Sequence, residues 1–119
     1  MRKPTHRHVL ALCGAVVLAA ILFFPVRISW DMHRVNQLCR ALHPGSSLAN
    51  IEPTIKRYGV WNPLVSYQFE HLENGRPGTF DERTNTWDIA VPAVSTMGDM
   101  ECFITHDGSN VTATKVMGP

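Results

Sequence analysis

The chain has 119 residues with 11 Lys and Arg against 10 Asp and Glu, a formal net charge of +1, 45% hydrophobic and 18% charged residues. Setting aside an apolar N-terminal segment leaves about 90 residues, which is one small domain with a modest core, too apolar for a disordered tail. From Ile28 onward seven basic residues stand against ten acidic ones, so the folded part is negative and offers no electrostatic footprint for nucleic acid.

The first element is the uncharged run from Val9 to Val26, preceded by Arg2, Lys3 and Arg7. At 1.5 Å per residue it spans roughly 27 Å, close to the ~30 Å of a bilayer's hydrocarbon. A cleaved signal peptide would need a small-x-small site just after the run, and none is present. The pair Ala19-Ala20 lies inside the run, and cutting there would leave an apolar Ile-Leu-Phe-Phe end. A lipoprotein signal fails as well, because Cys13 follows Leu12 and comes too early. The expectation is an uncleaved signal anchor over residues 9–26, a single-pass span in contact with the lipid bilayer. Residues 1–8 form a basic cytoplasmic N-terminus, and residues 29–119 a small domain on the far, extracytoplasmic (periplasmic) side of an inner membrane. Orientation follows from the Lys/Arg excess before the run over Arg27 and Arg34 after it. Trp30 suits the headgroup layer, where an indole is partly wet and partly buried.

The domain is expected to open with a helix from about Trp30 to Leu42, capped by Ser29, with Asp31 near its positive end. Val35, Leu38, Cys39 and Leu42 fall at i, i+3, i+4 and i+7, one apolar stripe, so Cys39 points inward. His43-Pro44-Gly45 ends that helix. A second, shorter helix carries Leu48, Ile51, Ile55 and Tyr58 on one face, with Ser47 or Asn50 as cap, Pro53 in its first turn and Gly59 closing it. After Asn62-Pro63 the apolar period changes to two. Strands are expected over Val65–Glu70, over Thr86–Val91 with Pro92 ending it, over Met100–Thr105, and over Val111–Val116. The stretch Glu73–Gly78 reads as a loop and His106–Asn110 as a hairpin connection. The fold class is therefore α+β: a transmembrane helix, then two helices packed on a small antiparallel sheet of about four strands.

Few groups suggest chemistry. Cys39/His43 and Cys102/His106 form two Cys-x3-His units that resemble a Cys2His2 zinc site on paper. Four residues along a strand span about 13 Å, too far for both groups of the second unit to bind one ion through ~2 Å bonds. The better account is two inward cysteines with exposed turn histidines. The remaining histidines are scattered over surface and turn positions. Asp81, Asn85 and Asp88 have loop spacing but lack the glycine and distal glutamate of a calcium loop. Glu70, Asp88 and Glu101 fall on solvated strand faces, and Asn110-Val111-Thr112 matches the glycosylation acceptor pattern. No nucleophile elbow, phosphate loop or His-Glu-x-x-His run is present, so no catalytic, cofactor-binding or metal residue is assigned, and the chain is read as non-enzymatic.

Two expectations concern specific sites. Cys39 and Cys102 lie on the apolar phases of a helix and a strand that must pack together, and an oxidising compartment would join them as a disulfide, with Cys13 out of reach in the span. Phe103, flanked by Glu101 and Thr105 on the outward phase of its strand, is a candidate partner-binding patch. Two functions fit: an accessory or interaction protein of an envelope complex with a protein partner, or an exported immunity or inhibitor protein that blocks an extracytoplasmic enzyme.

Overall fold

In the computed structural model, which describes residues 6–96 and 98–118, the apolar run and the first helix of the domain are a single element, α1 (His6–Ala41). The break expected at residues 27–29 does not exist. Ser29 is a mid-helix residue rather than a cap, and Asp31 sits a turn into the domain, buried and paired with Arg27 at 3.6 Å in an i,i+4 step. Pro25 lies inside the helix, where it lacks the N–H that would reach the carbonyl four residues back. That defect costs about 3 kcal/mol, whereas burying Val35, Leu38 and Cys39 on the same helix returns roughly 1.5–3 kcal/mol for each large side chain. Packing wins, and the helix runs through. Arg2 and Lys3 of the basic N-terminus lie outside the described residues.

Past α1, a turn at His43–Ser46 leads to a 3₁₀ turn at Leu48–Asn50 and helix α2 (Ile51–Arg57). Ser47 does the capping, its hydroxyl accepting from the Ala49 N–H at 3.3 Å, while the Asn50 side chain makes no cap bond. Gly59 closes α2 with φ of 71°, as its position after the last apolar residue implied.

The stretch expected as the first strand is helix α3 (Pro63–Glu70) instead. Asn62 caps it through two backbone bonds, to Leu64 at 3.0 Å and Val65 at 3.2 Å, and Pro63 occupies the first helical position, where its missing N–H is no loss. The alternation of Val65, Tyr67 and Phe69 was misleading. Val65 is buried and Phe69 packs beside it one turn on, while Tyr67 faces solvent.

The sheet has four antiparallel strands in sequential order: β1 (Thr79–Asp81), β2 (Thr86–Pro92), β3 (Glu101–His106) and β4 (Val111–Met117). β1 directly follows the loop read over Glu73–Gly78, in a stretch to which no element was assigned, and pairs with only the first three residues of β2. Beyond Asp88 the outer edge of β2 would be bare, and α3 covers it. The Gln68 amide donates to the Ala90 carbonyl at 2.8 Å and accepts from the Ala90 N–H at 2.9 Å, standing in for the missing strand partner. Ile89, Val91, Cys102 and Ile104 point from β2 and β3 to one face and meet Val35, Leu38 and Cys39 of α1, Leu42 just past its end, and Ile51 and Ile55 of α2. The fold is α+β, with its core between that face and the helices.

Candidate functional site

Cys39 and Cys102 are brought to disulfide distance at the centre of this core, with Cα atoms 5.7 Å apart and a sequence separation of 63. Helical phase on one side and strand phase on the other place the two side chains where the sequence reading put them. Cys13 is free and exposed on the apolar part of α1. Around it, Leu10, Phe23 and Phe24 are each about 60% exposed, a density of bare apolar groups that water does not tolerate on a monomer. Among the described residues this is one helix long and apolar enough to cross a membrane, as an anchor or as a signal sequence.

Glu101, Phe103 and Thr105 do share one face of β3, opposite to the core. Phe103 lies between Ala90 on β2 and Lys115 on β4 and is half-buried. Thr105 donates its hydroxyl to the Asp88 carboxylate across the strands, at 2.5 Å. That bond fixes one rim of the face, so Asp88 acts as a sheet residue and not as a free carboxylate. Glu101 lies opposite Pro92 and Met117.

His106 corrects the sequence reading. It is fully buried at the end of β3, beside a register shift between Thr105 and His106, and is no exposed turn histidine. Its ring stacks on Trp87 with planes 3° apart and centroids 5.3 Å apart, and Phe80 packs on the other side of the indole. Nε2 lies 2.7 Å from the Pro77 carbonyl and Nδ1 lies 3.1 Å from the Gly108 N–H. These partners define the neutral tautomer protonated on Nε2, which donates to Pro77 and accepts from Gly108. Burial pushes the His106 pKa below its ordinary value, outweighing the Pro77 bond and the nearby Asp107. With Cys39 facing Cys102 and both His106 nitrogens engaged, the Cys-x3-His units hold no free ligand set. His43 is exposed, its Nδ1 3.4 Å from the Pro44 carbonyl.

Asp81, Asn85 and Asp88 do not converge either. Asp81 caps the β1–β2 turn by accepting from the Arg83 N–H at 3.0 Å, and Asn85 takes a left-handed φ of 56° within that turn. Glu70 accepts from Ser66 one turn earlier on α3, at 3.1 Å.

Two clefts at the junction of the apolar helix and the domain escaped sequence reasoning. One, of about 220 Å³, is lined by Arg27, Asp31, Trp61, Asn62 and Val94 among others. The second, an open cleft of about 400 Å³, lies between α1 and the end of α2, with Trp30, His33, Arg34 and Arg57 around it. The Arg34 guanidinium sits over the Trp30 ring, 5.0 Å from its centroid, and 3.5 Å from the Gly59 carbonyl oxygen. The i,i+4 spacing of Trp30 and Arg34 was a readable signal; the approach of Arg57 from a separate helix was not.

No protein-family model matches the chain, and neither any curated protein nor any solved structure matches it.

Proposed function

We propose that the protein is a membrane-anchored interaction module, an accessory component of an envelope complex, which holds its domain on the extracytoplasmic side of the inner membrane and binds a protein partner through the outward sheet face around Phe103. The observation that carries this reading is the continuity of α1. The apolar segment passes into the domain core as one continuous helix with no linker between them, which supports a domain held at a fixed height and orientation beside the bilayer. Such placement serves a component that must meet a neighbour in a defined pose. A half-buried aromatic rimmed by Glu101, Thr105 and Lys115 is suited to be its anchor point.

A photo-crosslinking residue at Phe103 in the full-length protein, in intact membranes of its own cells, tests the reading. Crosslinks to membrane proteins that also co-purify in detergent are expected, with none from the same group placed at Lys56 on α2. A crosslink to a single soluble enzyme would replace the accessory role with an inhibitor or immunity role. If Phe103→Ala instead lowers the melting temperature by many degrees and crosslinks are absent, Phe103 is a packing residue and the patch is lost.

A further inference from the structure

The cleft between Trp30 and Arg57 has no place in the proposed partner surface, yet its chemistry is specific. Two arginines face it from different helices, joined by His33, Gln37 and Tyr58, and no carboxylate lines it. Nearby acids are already engaged elsewhere. Asp31 pairs with Arg27 at 3.6 Å and lines the adjoining cleft, and Glu52 pairs with Lys56 at 3.0 Å. Among the described residues neither Arg34 nor Arg57 takes part in an ion pair. Two unneutralised guanidinium groups at one cleft make a site for an anion, and planar donors of this kind match phosphate oxygens.

Height selects the anion. Trp30 lies four residues beyond Val26, about 6 Å above the end of the apolar run, within a headgroup layer roughly 5–8 Å thick. Arg34 starts one turn higher, but helical side chains lean toward the N-terminus, which here is toward the lipid. Its guanidinium over the Trp30 ring shows that lean and brings the charge down to the indole's level. Arg57 reaches the same cleft from the last turn of α2. Pro25, Val26, Ser29 and Trp30 line a shallow apolar hollow directly below, suited to the upper part of an acyl chain.

We propose that this cleft binds the phosphate of an anionic phospholipid in the leaflet beside the domain, with Arg34 and Arg57 on the phosphate and Trp30 against the glycerol and upper chain. The inference rests on residues 9–26 spanning the membrane. A lipid held there clamps α1 to α2 and adds a second bilayer contact to the span itself.

Native mass spectrometry of the full chain from detergent micelles, with phosphatidylglycerol and phosphatidylcholine in equal amounts, tests it. Phosphatidylglycerol should be retained preferentially. Arg34→Gln and Arg57→Gln should each cut that retention by about fivefold, the scale of one arginine at an anionic surface. Arg40→Gln, an exposed arginine on α1 away from the cleft, should leave it unchanged. Arg57 is exposed, so its variant keeps the fold even if Arg34→Gln weakens the α1–α2 junction. Unchanged retention in Arg57→Gln, equal losses in all three variants, or no preference between the lipids would overturn the site. Displacement of the bound lipid by millimolar inorganic phosphate would assign the cleft to a soluble anion and overturn the lipid assignment. A chain that carries neither lipid and leaves membranes in alkaline carbonate would instead remove the span on which the inference rests.

Discussion

Opening the Cys39–Cys102 link is the perturbation with the largest expected effect on the domain. The two cysteines close a loop of 63 residues that contains α2, α3, β1 and β2. In the chain-entropy model, freeing a loop of that length costs about 4 kcal/mol through the unfolded state. A domain of this size has a net stability near the low end of 5–15 kcal/mol, so most of its margin is at stake. At roughly 4–8 °C per kcal/mol for a small domain, a shift of about 20 °C in Tm is expected. The assay is thermal unfolding of detergent-solubilised full chain by near-UV circular dichroism, comparing wild type, Cys39→Ala/Cys102→Ala and Cys13→Ala. The double variant should melt about 20 °C lower and respond no further to reductant; Cys13→Ala should match wild type. Peptide mapping under alkylating, non-reducing conditions should return a Cys39–Cys102 crosslinked peptide. Both cysteines fully alkylated without reductant, or a double variant that melts within a few degrees of wild type, would refute the reasoning.

Three further outcomes follow from local geometry. Gln68→Ala removes both bonds to the Ala90 backbone and leaves part-buried edge groups unpaired, and should cost about 2 kcal/mol in urea unfolding. Gly78→Ala should destabilise by at least about 2 kcal/mol in the same assay, because φ is 104° and an added Cβ would lie 2.7 Å from the Asp88 carbonyl oxygen. For His106, the folded-state pKa lies below the unfolded value of 6.5, so the unfolded chain binds the proton more readily. Its contribution is fully present above about pH 6.5 and is lost as pH falls toward the folded-state value. Wild-type Tm should drop on acidification below that point, and a His106→Asn variant should show a flatter profile.

The parts of this fold legible in the sequence are those where one periodicity dominates. The helical stripe Val35, Leu38, Cys39 and Leu42 and the alternation of Ile89, Val91, Cys102 and Ile104 each encode a buried face, and the meeting of those faces brings Cys39 to Cys102. Val65, Tyr67 and Phe69 failed because period two over a few residues also fits a short helix whose exposed side carries an aromatic. The Asn-Pro cap at its start was the stronger signal. Strand β1 has only three residues and draws its order from β2 across the hairpin, so it left no pattern to read. His106 looked like a turn residue from its neighbours Asp107 and Gly108. Its burial depends on Trp87 and Pro77, which only the tertiary fold brings near. The helix start expected at Trp30 rested on Ser29 as a cap with Asp31 beside it, and the helix instead runs through both, with Pro25 inside it as well. Of the outward patch, the shared face of Glu101, Phe103 and Thr105 could be read from alternation, but the bond from Thr105 to Asp88 needed the register.

The central claim is that α1 stays in the membrane uncleaved, with the domain outside the cytoplasm. The direct measurement is a pair of reporters fused after Pro119, one active only outside the cytoplasm and one only within it, combined with N-terminal sequencing of the membrane-bound product. The account predicts that the exported reporter is active, the cytoplasmic one silent, and the product still carries residues 1–26. An active cytoplasmic reporter, or a product beginning near Ile21, would contradict it.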